Sequence, residues 1–224
     1  MVQQGQADLQ HVQADELWVK QVGRQVWMAM ALAVPPRLWL GGVISAQRDL
    51  PLITTLAQLV RSCARTLAIL VCVAGLASYV TAVWRVFQHP VYTGHRGRPR
   101  LVVEKGLLVG QAVKRYVRRR VVSVERRVVR GSTKAVAGVL AASESGTAIN
   151  TAYIERLNAT FRPSLAPLGR RRRAVVHTEA ALTAGRWLVG CAYNFCWLHG
   201  RLRGAAPAGA CWKWQERTPR WLLG

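Results

Sequence analysis

Three short apolar segments, separated by tight turns, occupy residues 17–45 and constrain the fold of this chain more than any other feature. The first segment begins at Leu17, the second covers 25–34 and the third covers 38–45. A turn at Gly23 and a Pro-Pro pair separate them, and connections this short join antiparallel strands. The second segment is apolar at almost every position, as in a central strand that is covered on both faces. The sequence therefore predicts an antiparallel three-stranded meander.

A helix and a second apolar segment follow the meander. Asp49 is a good N-cap and Pro51 fits the first turn, so a helix is predicted from residue 50 onward. Residues 66–84 then carry no charge. The aliphatic run over 67–73 and the break at Gly75 favour a buried strand that leads into a helix. A membrane span needs about 20 apolar residues, so a small membrane protein built on this segment stays an alternative.

The remaining pattern completes an α/β fold of the RNase H-like type, with a mixed sheet of about five strands flanked by helices. Strands are predicted near Val91 and over 121–129, and helices over 107–120, 132–142, 149–162 and 178–199. Residues 1–14 are polar and are expected to be a flexible leader. Residues 15–203 are expected to form the core domain. Residues 204–224 are expected to be a coil-like tail that ends as if truncated.

The net charge of this chain points to a nucleic-acid partner. It has 32 Lys plus Arg against 10 Asp plus Glu, a formal charge of +22, and Arg far outnumbers Lys. Arginine matches phosphate oxygens with two hydrogen bonds, so double-stranded DNA is the first partner to expect and an anionic membrane surface the second. An Arg-rich composition can also reflect genomic base composition.

Three basic clusters could form the DNA contact surface. Each cluster also fits a solvated loop. The first is Arg96, Arg98 and Arg100, the second is Lys114, Arg115, Arg118, Arg119 and Arg120, and the third is Arg170, Arg171, Arg172 and Arg173.

The helix predicted over 149–162 places one carboxylate on a polar face. Tyr153, Leu157 and Phe161 form its apolar stripe at helical spacing. Glu155 lies on the opposite face among hydrogen-bonding side chains. This pattern fits a solvated helix face, and it equally fits a face turned toward a site that needs one carboxylate.

The cysteines and the start of the chain indicate the compartment. The five cysteines are odd in number, and none forms a CxxC pair. Buried free thiols in a reducing cytosol explain them better than a zinc site does. The first residues carry neither a basic segment nor an apolar one of the kind that directs secretion, so a cytoplasmic protein is expected.

Four stretches resemble the DDE transposases of bacterial insertion sequences, and most closely the insertion-element-one type. They are DELW at 15–18, CVAGLASY at 72–79, NTAYIERLNATFR at 150–162 and YNFCWLHGRLR at 193–203. The resemblance covers about residues 15–203. It implies an RNase H-like catalytic core that cleaves element ends and transfers the strands into target DNA with Mg²⁺. It leaves homo-oligomerisation open and implies no membrane partner.

The resemblance also implies a set of catalytic, metal-binding carboxylates, and this chain departs from it at one position. Asp15 takes the place of the first carboxylate and Glu155 that of the last, while Ala74 stands where the second Asp is expected. Glu16 is predicted to face the opposite side of the strand from Asp15. A methyl group binds no metal, so the expectation is a transposase that is inactive as it stands. The alternative is a DNA-binding remnant without chemistry.

Overall fold

The computed structural model describes residues 7–92, 94, 97–118, 120–169, 175–205 and 214–219, which form ten strands and five α-helices. The strands are β1 (His11–Gln21), β2 (Arg24–Ala33), β3 (Leu38–Ser45), β4 (Leu70–Ala74), β5 (Gln88–Val91), β6 (Arg100–Val103), β7 (Leu108–Val117), β8 (Arg120–Arg130), β9 (His199–Ala205) and β10 (Trp214–Arg217). The helices are α1 (Leu50–Cys63), α2 (Ala77–Val86), α3 (Thr133–Ala142), α4 (Ala152–Ser164) and α5 (Glu179–Cys191).

The main sheet is mixed, with six strands in the order β3-β2-β1-β4-β7-β8. The first three strands in the chain are antiparallel, which confirms the predicted meander. Strand β4 pairs in parallel with β1 and β7 in parallel with β4, while β8 returns antiparallel to β7. Helix α1 makes the parallel placement of β4 possible because it carries the chain back across the sheet. Its predicted N-cap is confirmed by the hydrogen bond from the Leu52 backbone N–H to Asp49 Oδ1 (3.1 Å).

Alternating side chains divide the core into two layers, one on each face of the sheet. Val12, Ala14, Val71 and Val73 pack with α1 and α2 on one face. The neighbouring residues of the same strands point to the other face, which is covered by α3, α4 and α5. The fold is therefore an α/β sandwich of a mixed sheet between two helical layers.

The first strand begins inside the segment that the sequence predicts as a flexible leader, residues 1–14. His11 and Gln13 are fully buried. The His11 Nδ1 atom lies 3.1 Å from Ser143 Oγ, and Gln13 Oε1 accepts a hydrogen bond from the backbone N–H of Tyr153 (2.9 Å). These polar side chains suggest a solvated segment, but they find their partners inside the protein.

Two other element predictions are wrong. The helix predicted over 107–120 is strand β7, whose β-branched residues pair with β4 on one side and β8 on the other. The tail predicted as coil from residue 204 contains β10, which pairs with β9. In both places, pairing with strands distant in the sequence overrides the local pattern.

The last long helix is shorter than the predicted helix over 178–199. Helix α5 ends at Cys191, and a π-helical turn over Ala192–Cys196 redirects the chain. After Cys191, Phe195 and Leu198 are exposed, whereas Tyr193 is buried. A π-helical turn contains one residue more than an α-helical turn, so the residues after it point in other directions than a continued α-helix would give them.

The uncharged segment 66–84 divides into β4 and α2, as the strand-then-helix alternative predicts. Among the residues that the structure describes, no helix has the length and apolar character needed to cross a membrane.

Substitution of Gly190 tests the packing of α5 against the sheet. A Cβ atom at this position would overlap the ring of Trp39, which is fully buried. We expect Gly190→Ala to lower the free energy of unfolding by about 1–3 kcal/mol, because an overpacked core must shift. Urea titration measures this change. The control is Gly138→Ala in α3, where no atom lies near the added methyl group and helix propensity predicts a gain of up to about 1 kcal/mol. Equal effects of the two substitutions would contradict the packing described here.

Candidate functional site

A groove opens at the carboxyl end of β4, because both neighbouring strands continue past it. The pairing of β1 with β4 ends at Ala14 and Val73, whereas β1 runs on to Gln21. The pairing of β4 with β7 ends at Ala74 and Ala112, whereas β7 runs on to Val117. The gap between the two longer strands forms the groove. Ligands of open α/β sheets bind outside the carboxyl ends of strands, which is where this groove lies.

Three chain segments bring the predicted catalytic positions together in this groove. Asp15 on β1, Ala74 at the end of β4 and Glu155 on α4 all line it. Ala14 and Val73 point toward α1 and α2, so the next residue of each strand, Asp15 or Ala74, points toward α4. The structure thus brings these three positions together on one groove.

Asp15 is half-buried and is held by a residue of α4. Asn158 Nδ2 donates a hydrogen bond to Asp15 Oδ2 at 2.9 Å. Burial, together with the neighbouring charge of Glu16, raises the pKa of Asp15 to about 7. The charge of Glu155 adds to this rise, while Lys114 and a backbone hydrogen bond oppose it. The carboxyl group therefore changes its charge near neutral pH.

Glu155 lies in the first turn of α4 and is already bound by two side chains. The ammonium group of Lys114 forms an ion pair with Glu155 Oε1, and the hydroxyl of Thr151 donates to the same oxygen. The positive end of the helix dipole also favours a carboxylate in a first turn. The polar face of α4 is therefore turned toward the groove.

A second ion pair lies on the opposite wall. Glu16 points to the α1 and α2 side of β1, as predicted, and its side chain is only 2% exposed. Arg48 binds Glu16 Oε1, and its guanidinium group lies 5.1 Å from the ring centroid of Trp27. The carboxylate, the guanidinium and the indole ring thus form one layered contact on this wall.

The residues of the groove do not fit a divalent metal centre as they stand. Magnesium requires several oxygen ligands, and a two-metal site uses carboxylates from different elements. Here the ammonium of Lys114 occupies an oxygen of Glu155, and Ala74 offers a methyl group. Within the described part of the chain, no three His, Cys, Asp or Glu side chains are grouped so that they could hold a metal ion.

The predicted DNA-binding residues that the structure describes do not gather around the groove. Only Lys114 lines it; Arg98 is exposed in the β5–β6 connection, and Arg100 begins β6 in a separate two-stranded sheet. Arg115 is exposed on β7, while Arg118 and Arg120 lie at the turn into β8. The remaining members lie outside the described residues: Arg96, Arg119, Arg170, Arg171, Arg172 and Arg173.

The groove also contains side chains that the sequence analysis does not select. Arg48, Trp18, Trp27 and Tyr116 line it. Tyr116 could have been found from the sequence if β7 had been predicted as a strand. It stands two residues after Lys114, and residues two apart lie on the same face of a strand. Arg48 has no local signal, since its contact with Glu16 joins residues 32 positions apart.

No family model matches this chain, and no curated protein matches its sequence. A function must therefore be inferred from the fold and the groove.

The raised pKa of Asp15 predicts how stability depends on pH. The folded state holds the proton more tightly than the unfolded chain, whose aspartate pKa is about 4. Stability from this group is therefore fully present below about pH 4 and is lost as pH rises through about 7. We expect Asp15→Asn to flatten this decline and to raise the free energy of unfolding at alkaline pH by about 1–3 kcal/mol.

Urea titration across this pH range measures the effect. The control, Asp8→Asn, removes the same charge from an exposed position. If the free energy of unfolding of Asp15→Asn falls with pH as much as that of the unmodified chain, the pH dependence comes from other groups.

Proposed function

We propose that this chain is the RNase H-like core of an insertion-sequence DDE transposase, of the insertion-element-one type, and that it binds DNA but does not cleave it as it stands. The observation that carries the proposal is the convergence of Asp15, Ala74 and Glu155 on one groove from β1, β4 and α4. Double-stranded DNA is the partner in this proposal, and the cytoplasm is the compartment.

The sheet order supports this proposal. A three-stranded antiparallel meander, followed by β4 and β7 in parallel on the side of β1, matches the mixed sheet that the resemblance implies. The carboxylate positions lie on the central strand β1, at the end of β4 and on a helix packed over them. Strand ends and helix starts position side chains rigidly, as strand-transfer chemistry requires.

The absence of cleavage follows from the composition of the groove. The carboxylates of Asp15 and Glu155 and the ammonium of Lys114 together carry a formal charge of −1, whereas two divalent ions bring +4 and need carboxylates to balance them. The ion pair of Lys114 with Glu155 also favours the alternative function, a DNA-binding remnant without chemistry, because it satisfies the glutamate without a metal.

Restoring a carboxylate at position 74 tests the convergence. We expect Mn²⁺ to raise the Tm of Ala74→Asp and to leave the chain as it stands unchanged, because only the folded variant offers a three-carboxylate site. At one hundred times its dissociation constant the ion stabilises by about 2.7 kcal/mol, a shift of several degrees. Differential scanning fluorimetry with and without Mn²⁺ measures the shift.

Two further variants sharpen this measurement. Ala74→Asn has the same shape without the charge and is the matched control. Ala74→Asp combined with Lys114→Met removes the ammonium that competes for Glu155, so its response to Mn²⁺ is expected to be larger. If no variant responds, the three positions do not form a metal site and the DNA-binding remnant is the better function. A response by the unmodified chain contradicts the assigned role of Ala74.

Salt dependence tests the proposed DNA binding. The logarithm of the duplex association constant is expected to fall linearly with the logarithm of the salt concentration. The slope is about −0.9 for each phosphate that the protein neutralises. Arg115→Gln on the exposed side of β7 is expected to reduce this slope by about 1, because it removes one phosphate contact. Fluorescence anisotropy of a labelled duplex measures both values. The control is Arg24→Gln, since Arg24 is paired with Glu179 at another surface (3.2 Å). Affinity that does not change with salt would contradict the proposed binding.

A further inference from the structure

Aromatic side chains line both walls of the groove and reach solvent there. Trp18 of β1 is 38% exposed and lies opposite Trp27 of β2 in the strand register, and both line the groove. On the other wall Tyr116 of β7 is 61% exposed and also lines it. Large apolar rings that stay in water at a groove mark a place where a ligand covers them.

Cationic groups lie beside the rings on each wall. Arg48 stacks 5.1 Å from the ring centroid of Trp27, and Lys114 lines the groove two residues before Tyr116. The chain as a whole carries +22. A ligand that has both anionic groups and flat apolar faces is complementary to these walls.

Three acidic residues line the groove, Asp15, Glu16 and Glu155, and three basic residues line it as well, Arg48, Lys114 and Arg162. Glu155 is paired with Lys114, and Glu16 is paired with Arg48. These two pairs neutralise two of the three carboxylates with groups of the protein itself, so no divalent ion is needed to screen the glutamates when a phosphate chain approaches.

We propose that the groove binds an unpaired, single-stranded segment of DNA, with bases stacked on Trp18 and Tyr116 and phosphates near Arg48 and Lys114. The exposed aromatic rings favour single-stranded over duplex DNA. In a duplex the faces of the bases are covered by their neighbours, so only an unpaired base can offer its face to a protein ring. This inference rests on the proposed DNA-binding function and specifies the form of DNA that this groove takes.

Comparison of single-stranded and duplex DNA tests the inference. Anisotropy of a labelled oligothymidylate and of a blunt duplex of equal length is measured at one salt concentration, with EDTA present. We expect tighter binding of the single strand. Trp18→Ala and Tyr116→Ala are each expected to lose about 5- to 100-fold in single-strand affinity and to keep their duplex affinity. Tyr116→Phe retains the ring and is expected to bind like the unmodified chain.

The matched control is Tyr92→Ala, which removes an exposed ring that does not line the groove. Thermal melting of each variant confirms that it is folded. Salt-dependent duplex binding without a preference for the single strand overturns this inference and leaves the proposed function standing. Absence of binding to either form overturns both. Unchanged DNA affinity together with a loss of self-association in Tyr116→Ala overturns the inference and assigns these rings to a contact with a second copy of the chain.

Discussion

The short length of β4 is the constraint on which the rest of the site depends. Strand β4 has five residues, whereas its neighbours β1 and β7 have eleven and ten. A strand that stops early between two longer ones leaves their inner edges unpaired, and the chain must leave the sheet steeply there. Gly75 stands at this exit, where a Cβ atom would lie 3.3 Å from Val113 Cγ1 on β7, a tight contact that glycine avoids. The groove and the start of α2 both result from the early end of β4.

Ion pairs inside the groove have a role other than stability. Lys114 and Glu155 are partly exposed, and pairs of this kind contribute little to the free energy of folding. Glu16 is different, because its side chain is almost completely buried and a lone carboxylate there would be costly. Arg48 removes that cost while keeping its own side chain partly in water. The pairs thus allow acidic residues to stay in a groove that is otherwise suited to anions.

The meander and α1 could be predicted from sequence because their signals are local: close turns, a strand apolar on both faces, and the cap at Asp49. Strand β7 could not, because its state is set by pairing with β4 and β8, which are distant in the sequence. The same distinction applies to the site. The helical spacing around Glu155 selects the residue, but only the tertiary structure shows that Lys114, on another element, neutralises it. His11 and Gln13 suggest a solvated leader because a single sequence gives no sign of their partners at the end of α3 and in α4.

Strand β8 closes one side of the main sheet, and its composition affects how copies of the chain meet. An outermost strand exposes unpaired backbone groups that can pair with a strand of another molecule. Strand β8 carries arginines along its length, among them Arg120, Arg126, Arg127 and Arg130. Two such strands brought side by side would place like charges against each other. Positive charge on an outermost strand opposes its pairing with the same strand of a second copy.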